Sequence, residues 1–179
     1  MSLPLIEALP GLRMYDARPL CPSTHPTVDV GRKRYVVIHE SVTDPAADPV
    51  AIIKAISAYH QQYGGMGYNA IVDREGNLFY VGDWNTSRAG AAQVPWANEQ
   101  SYHVCLLGRF DDAPPPLAQR IGARLICAHL DHALGRRLVV VPHCVWNVDL
   151  ADPRSQWNTG CPGATWPRWL GDVMPTSAL

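Results

Sequence analysis

The chain is 179 residues long, with 47% hydrophobic and 17% charged residues, a composition that predicts one globular domain and excludes a disordered chain. Fifteen basic and sixteen acidic residues leave a formal net charge of −1 at pH 7, and because like charges do not cluster, we expect neither nucleic acid nor an anionic membrane surface as a partner. No apolar stretch reaches the roughly 20 residues of a membrane span, and the N-terminus has no basic leader, so no signal peptide is expected.

An irregular arm, a strand and a helix are predicted for the first third of the chain. Residues 1–33 are rich in proline and turn formers, and they predict an irregular N-terminal arm laid over the domain. The apolar, β-branched run Arg34–His39 predicts a buried strand. Asp48 and Pro49 then suit the cap and the first position of a helix, which Gly64 ends.

A hairpin, a loop and a further strand are predicted next. Residues 69–73 and 78–81 flank a short turn that contains glycine and asparagine, which is typical of a β-hairpin. Residues 82–100 are small, polar and aromatic, and they predict a surface loop. The apolar run 102–107 predicts another buried strand, which Gly108 ends.

The last third of the chain continues the alternation of helices and strands. Leu117–Leu134 predicts a long helix with one apolar face, and residues 138–141 predict a strand. Residues 145–166 are typical of a loop, and a short helix is expected near 169–173. We therefore predict a single α/β domain, with residues 34–175 as the compact body and helices that flank a central mixed β-sheet.

Two histidines and one cysteine stand out by their positions. His39 and His143 each follow an apolar strand directly, and strand ends in α/β sheets open onto the crevice where ligands bind. Cys161 lies in a loop framed by glycine and proline. Two imidazoles and a thiolate suit zinc, and three protein ligands leave a fourth position open for catalysis. With seven histidines and five cysteines in the chain, spacing alone does not single out this group.

An ordered set of segments resembles the zinc amidase family shared by phage amidase endolysins and peptidoglycan recognition proteins. The segments are, in chain order, residues 17–19, 35–39, 67–82, 98–110, Gln119 and 159–163. Each segment is common by itself, whereas the ordered set is specific. The resemblance extends from about residue 15 to residue 170, nearly the whole chain.

The resemblance implies an activity and a set of site residues. It makes His39, His143 and Cys161 the ligands of a zinc ion. It makes Tyr68 the tyrosine that assists the attacking water and the developing oxyanion, and it places Thr159 opposite the scissile carbonyl. The implied reaction is hydrolysis of the amide bond between N-acetylmuramic acid and L-alanine in bacterial peptidoglycan, with peptidoglycan or a muropeptide as the partner.

Two positions depart from the family pattern, and two others distinguish this chain from a related branch. Glu40 follows the first ligand where many relatives have threonine, and it could orient His39, accept a proton or face solvent. A related branch of recycling amidases has a glutamate in place of Cys105 and an aspartate in place of Cys161, so this chain is nearer the branch that uses cysteine and tyrosine. Cys144 could be the second ligand in place of its neighbour His143. Because adjacent residues of an extended chain point to opposite sides, only one of the two should face the metal.

The predicted loop 83–100 offers side chains for substrate binding. Trp84, Trp96 and Asn98 combine aromatic faces and an amide, which suits a groove for sugar rings and peptide backbone. The remaining histidines are expected to be structural, although His60 is left open as a residue near the cleft edge. That group comprises His25, His60, His103, His129 and His132.

Several interpretations of the biological role stay open at this point. A non-catalytic peptidoglycan-binding module and a structural zinc site in an unrelated hydrolase are the alternatives to an enzyme. Among enzymes, an endolysin-like lytic amidase, a cytoplasmic muropeptide-recycling amidase and a secreted effector all suit a leaderless chain made in the cytoplasm. Five cysteines without a CxxC pair predict reduced thiols, and we expect a monomer.

Overall fold

A seven-stranded sheet forms the centre of the computed structural model, which describes residues 5–7, 13–44, 46–87, 94–146 and 159–176. The strands are β1 (Leu5–Glu7), β2 (Met14–Asp16), β3 (Tyr35–Glu40), β4 (Ala70–Val72), β5 (Leu78–Tyr80), β6 (Ser101–Leu106) and β7 (Val139–Pro142). Their order across the sheet is β1-β2-β5-β4-β6-β3-β7. The helices are α1 (Pro49–His60), α2 (Pro95–Gln100), α3 (Leu117–Leu134) and α4 (Leu170–Val173).

The sheet is mixed, and β3 lies next to the edge strand β7. Parallel neighbours β6 and β7 flank β3 on its two sides, and β4 runs parallel to β6. The predicted hairpin is formed by β4 and β5, which pair antiparallel. The predicted α/β class, with a central mixed sheet flanked by helices, is therefore confirmed.

Hydrophobic clusters on the two faces of the sheet hold α1 and α3 in place. Alternate residues of a strand point to opposite faces, and Val36 and Ile38 of β3 belong to the cluster that includes Ile126 of α3. Ile53 of α1 packs in the other cluster, together with Cys105 of β6. Because β3 is buried on both faces, its apolar run is continuous rather than alternating.

Local sequence signals account for the ends of the two long helices. The Asp48 carboxylate accepts hydrogen bonds from the backbone amides of Val50 and Ala51, which satisfies donors that the first helical turn leaves unpaired. Pro49 occupies the first turn of α1, as predicted. Gly135 ends α3 with a φ of 62°, a left-handed conformation that glycine adopts without a steric penalty.

Two predicted segments differ from the structure. The N-terminal arm 1–33 was expected to be irregular, but β2 pairs in parallel with β5 and β1 pairs with β2. Met14 of β2 is buried in the core, which explains why this short segment joins the sheet. The predicted loop 82–100 contains α2, whose first turn begins at Pro95. Residues 88–93 of that loop and residues 147–158 of the later loop lie outside the described residues.

The termini of the strands set up the site. His39 and Glu40 end β3, and the chain turns into a 3-10 helix, His143–Trp146, directly after β7. Since β3 and β7 are parallel neighbours, their carboxyl ends lie at one edge of the sheet. None of the helices in the described ranges is long and apolar enough to cross a membrane.

Candidate metal centre and active-site cleft

The three predicted ligands meet at the carboxyl ends of β3 and β7. His39 is 1% exposed on β3, His143 follows β7, and Cys161 is supplied by the loop before α4. Their ligand atoms all lie within 4.8 Å of one another, and the Cys161 Sγ is 3.8 Å from the His39 Nδ1. Three residues that are far apart in the sequence thus form one cluster of nitrogen and sulfur donors.

The cluster fits zinc in its spacing and donor chemistry. Tetrahedral zinc sets a nitrogen and a sulfur ligand about 3.5 Å apart, close to the distance between Cys161 and His39. Burial holds the pKa of His39 well below its usual range, and the neighbouring His143 and His103 lower it further. Burial also lowers the pKa of His143 to about 4. Both imidazoles are therefore neutral at pH 7, the state that binds a metal ion.

Cys161 is held in place by hydrogen bonds from the backbone and the loop. The Glu40 backbone amide donates to the Cys161 Sγ over 3.2 Å, and the Cys161 amide donates to the Thr159 Oγ1 over 3.1 Å. Burial raises the pKa of the thiol to about 12, although the Glu40 amide opposes this shift. Without a metal, Cys161 is therefore a protonated thiol at neutral pH, and metal binding must displace that proton.

The structure favours His143 over Cys144 as the second ligand. Within the described part of the chain, the group of candidate ligands that converges contains His143 and not Cys144. The Cys144 backbone amide instead donates to the Cys161 carbonyl oxygen over 2.9 Å. Cys144 therefore helps to hold the loop of Cys161 through its main chain.

The cluster lies in a cleft of about 600 Å³. Its walls come from the end of β3 with the following Ser41 and Val42, from Tyr68 and His143, and from the loop that carries Thr159 and Cys161. Helix α1 adds Ala55, Ile56, Tyr59 and His60. The last turns of α1 present an exposed aromatic ring, Tyr59, at the rim. A ligand in this cleft would contact both the three donors and apolar side chains such as Val42 and Ile56.

Tyr68 faces the metal-binding group. Its ring centroid is 5.1 Å from that of His39, and the residue lines the cleft. Burial raises the pKa of the Tyr68 hydroxyl well above its usual range, and the thiols of Cys105 and Cys161 raise it further. The hydroxyl therefore keeps its proton at neutral pH, and it hydrogen-bonds to the Cys105 thiol, a weak acceptor that a carbonyl oxygen in the cleft would replace.

Glu40 is buried, so the solvent-facing alternative is wrong. The residue is 8% exposed, and its Oε2 accepts a hydrogen bond from the Phe110 backbone amide over 2.7 Å. Burial raises the pKa of the carboxyl, while the Phe110 hydrogen bond opposes the shift. Glu40 lines the cleft, so a carboxyl group with a raised pKa lies beside the donor cluster.

His103 also contacts the cluster, in contrast to the purely structural role that the sequence predicted. The side chain is fully buried, and its Nδ1 lies 3.0 Å from the His39 Nε2. The missing signal was strand register: β6 pairs with β3 so that Val37 is opposite His103 and His39 is opposite Cys105. Because side chains alternate along strands, His39 and His103 share one face of the sheet.

His60, which the sequence left open, lines the cleft. Its Nδ1 accepts a hydrogen bond from the Gly67 backbone amide over 3.1 Å, and its ring centroid is 5.3 Å from that of Tyr68. Burial lowers the pKa of His60, with His25 as a smaller contributor. A neutral His60 therefore packs beside Tyr68 in the cleft wall.

The structure does not bring the three predicted substrate-binding residues to the described walls of the cleft. Trp84 stacks on Tyr80, with ring centroids 5.1 Å apart, and it packs against the hydrophobic core. Trp96 and Asn98 lie on α2, where the Trp96 ring makes an edge contact with Trp146. Packing within the fold thus accounts for Trp84, whereas Trp96 touches Trp146 and is still 46% exposed.

Comparison with known proteins places the chain in one family. The chain belongs to the N-acetylmuramoyl-L-alanine amidase family, whose family model matches residues 29–164. Among curated proteins, peptidoglycan-recognition protein SC2 of Drosophila simulans is 27% identical over 148 residues, which cover 75% of this chain and 74% of that protein. The family resemblance predicted from the sequence is confirmed.

Solved structures share the fold at low sequence identity. Drosophila peptidoglycan recognition protein SA matches with a TM-score of 0.72 and 19% identity, covering 93% of this chain and 95% of that one. The N-acetylmuramoyl-L-alanine amidase LysC from Clostridium intestinale matches with a TM-score of 0.61 and 18% identity, covering 84% and 88%. The similarity of both structures to this chain extends over most of the domain.

Proposed function

We propose that this protein is a zinc-dependent amidase that cleaves the bond between N-acetylmuramic acid and L-alanine in peptidoglycan. The observation that carries the proposal is the convergence of His39, His143 and Cys161 within 4.8 Å in a cleft that Tyr68 also lines. Membership in the amidase family supplies the reaction class. The cleft has the volume of a small-ligand site, which suits a muramyl peptide.

The three donors would hold the zinc ion and leave its fourth position to the cleft. When bound, zinc supplies a Lewis acid that polarises the amide carbonyl and lowers the pKa of bound water to about 7. The Tyr68 hydroxyl, which stays protonated, donates a hydrogen bond to the carbonyl oxygen as negative charge develops there. Thr159 also lines the cleft, and we propose its hydroxyl as the second group that orients the scissile carbonyl.

Glu40 is proposed as the group that moves the proton. One carboxylate oxygen is fixed by the Phe110 amide, which orients the side chain and leaves the other oxygen as an acceptor. The raised pKa of Glu40 brings it nearer to neutral pH, where a group can both accept a proton from water and return it to the leaving amine. The role of orienting His39 does not need Glu40, because His103 contacts that ring.

We propose substrate contacts for the side of the cleft that Val42 and α1 form, rather than for the region 83–100 that carries Trp84 and Trp96. Tyr59 is 63% exposed and Val42 is 52% exposed, and both line the cleft. An exposed aromatic face beside a polar reaction centre suits a sugar ring or a peptide side chain. We therefore propose this surface as a substrate contact, while the contacts expected from Trp84, Trp96 and Asn98 stay a prediction.

The reaction is tested by incubating the zinc-loaded protein with purified muropeptides and with intact sacculi. The proposal predicts that free N-terminal L-alanine appears at the same rate as peptide is released from the glycan. Absence of that product from both substrates, with zinc bound, contradicts the proposal. Faster turnover of sacculi would support an endolysin-like or effector role, and faster turnover of soluble muropeptides would support recycling.

A non-catalytic binding module is the second candidate, because a relative of this chain carries the name of a peptidoglycan-recognition protein. That alternative predicts that the zinc-loaded protein binds muropeptides without cleaving them. It also predicts that Cys161→Ser leaves the binding affinity unchanged. The amidase proposal predicts that this substitution abolishes cleavage.

A further inference from the structure

We infer that His103 is a positioning residue for the metal centre: its Nδ1 accepts a hydrogen bond from the Nε2–H of His39 and fixes the ring so that the His39 Nδ1 faces the metal. The inference rests on the proposed zinc-dependent function, because it concerns how one ligand of that ion is held. It assigns a role to a buried histidine that is neither a ligand nor a group lining the cleft.

The tautomer of His39 follows from the two contacts of its ring. The Nδ1 is the atom that faces the Cys161 Sγ, at 3.8 Å, so a metal ion held between them requires this nitrogen to be unprotonated. A neutral imidazole carries one N–H, which must then be on Nε2. Nε2 lies 3.0 Å from the Nδ1 of His103, so His39 donates this bond and the His103 Nδ1 accepts it.

His103 is itself fixed by main-chain pairing. Its backbone amide donates to the Asn69 Oδ1 over 2.9 Å, and its carbonyl oxygen accepts from the Asn69 amide over 2.9 Å. The Asn69 side chain also donates to the Asp83 carbonyl oxygen. Because β6 pairs with β3 along its whole length, the His103 ring is held at a constant distance from the ring of His39.

A residue behind a histidine ligand selects the tautomer, fixes the ring orientation and raises the basicity of the ligand. A neutral imidazole in that place, instead of a carboxylate, adds no negative charge to the centre. Of the three ligands, only the Cys161 thiolate then brings a negative charge to a divalent ion. The His103 contact therefore orients His39 while the centre keeps its positive charge for polarising a substrate carbonyl.

The inference is tested with two substitutions of similar size that differ in whether the side chain can accept a hydrogen bond. His103→Asn keeps an acceptor near the position of Nδ1, and His103→Leu removes it. His132→Asn, at an exposed position of α3, is the matched control. Zinc affinity is measured by competition with a chromophoric chelator, and cobalt-substituted proteins report the ligand field through their visible absorption spectra.

We expect His103→Leu to lower zinc affinity by roughly 10- to 100-fold and to alter the cobalt spectrum. His103→Asn should retain most of the affinity, and His132→Asn should behave as the wild type. Equal affinity in the Leu variant and the wild type, or an equal loss in the Leu and Asn variants, would overturn the inference. Neither readout needs hydrolysis. A wild type that binds zinc but has no activity would therefore refute the amidase proposal and leave the inference about His103 unaffected.

A measurement on the unaltered protein covers the case in which the Leu variant does not fold. In zinc-loaded wild type with ¹⁵N-labelled histidines, two-bond proton–nitrogen correlations distinguish a protonated ring nitrogen from an unprotonated one. The inference predicts an unprotonated, hydrogen-bonded Nδ1 in His103 and a protonated Nε2 in His39. A protonated Nδ1 in His103 would overturn it.

Discussion

The backbone amide of Glu40 donates a hydrogen bond of 3.2 Å to the thiol sulfur of Cys161, which lies 121 positions later in the chain. This bond joins the end of β3 to the loop before α4. It brings the sulfur next to His39, the residue that precedes Glu40 on the strand. The metal-binding group therefore depends on how closely this loop packs against the end of the sheet.

Gly163 permits that close packing. It has a φ of 86°, and a Cβ at this position would lie 2.5 Å from the backbone carbon of Phe110. We expect Gly163→Ala to displace the loop, to weaken zinc binding and to destabilise the fold by about 1–3 kcal/mol. Gly160→Ala is the matched control, because a Cβ there meets nothing within 4 Å. Urea denaturation and chelator competition would show the difference, and equal behaviour of the two variants would refute this explanation of the loop.

Tyr68 is expected to act on the reaction and not on metal binding. Removing its hydroxyl in Tyr68→Phe should reduce kcat by roughly 10²- to 10³-fold, the range for one lost oxyanion donor. The zinc content should stay at the wild-type value, because Tyr68 is not one of the converging ligands. Tyr35→Phe, at the opposite end of β3 from His39, is the control. A kcat for Tyr68→Phe within a few-fold of the wild type would contradict the assignment.

The substitution Glu40→Gln removes the proposed proton acceptor while keeping the hydrogen bond that holds the side chain. The amide oxygen of glutamine can still accept the hydrogen bond from Phe110, so the fold and zinc affinity should be preserved. Loss of the proton acceptor should lower kcat by roughly 10²- to 10⁴-fold and remove the acidic limb of the pH–rate profile. If kcat and the profile both stay unchanged, Glu40 serves only to hold Phe110. Glu75→Gln, at an exposed turn, controls for the change in net charge.

The buried histidines make the stability of the metal-free protein depend on pH. The pKa of His143 is lowered from 6.5 to about 4 by burial, so between these values the unfolded chain binds more protons than the folded one. The free energy of unfolding therefore falls as the pH is lowered from about 6.5 to about 4, by at most about 3 kcal/mol from this group. Above pH 6.5 both states are neutral at His143, and it contributes no pH dependence.

The contribution of His143 is isolated by comparing the wild type with His143→Gln in the presence of a chelator. His39 acts in the same direction and Glu40 in the opposite direction, since burial raises the pKa of Glu40, but both groups are present in both proteins. Urea denaturation at pH 7.5, 6 and 5 should show a smaller loss of stability in the variant. Parallel losses in the two proteins would show that His143 is not buried as a neutral ring.

The sequence predicts the long elements of the fold because their local signals agree with their packing. Asp48 and Pro49 define the start of α1, and the apolar run before His39 has the composition of a strand that is buried on both faces. The strands β1 and β2 have three residues each, as do the correctly predicted β4 and β5, but β1 and β2 lie in a segment whose prolines and turn formers predict irregular structure. Their place in the sheet is determined by tertiary contacts, such as the burial of Met14 against the core.

The site is predictable where it depends on residue type and chain order, and it is not where it depends on strand register. His39, His143 and Cys161 come from the family resemblance and converge in the structure. His103 could not be found without knowing that β6 pairs with β3 in a given register. The tryptophans of the 83–100 region were expected at the cleft because they are aromatic, but Trp84 packs within the fold instead.

The most direct test of the account is zinc-dependent release of N-terminal L-alanine from muropeptides by three proteins: the wild type, Cys161→Ser and Cys144→Ser. Each is stripped with a chelator and then reloaded with one equivalent of zinc. We predict that the wild type and Cys144→Ser lose activity on stripping and regain it with zinc, while Cys161→Ser stays inactive throughout. Full activity of the stripped wild type, or restored activity of Cys161→Ser, would contradict a zinc amidase built on His39, His143 and Cys161.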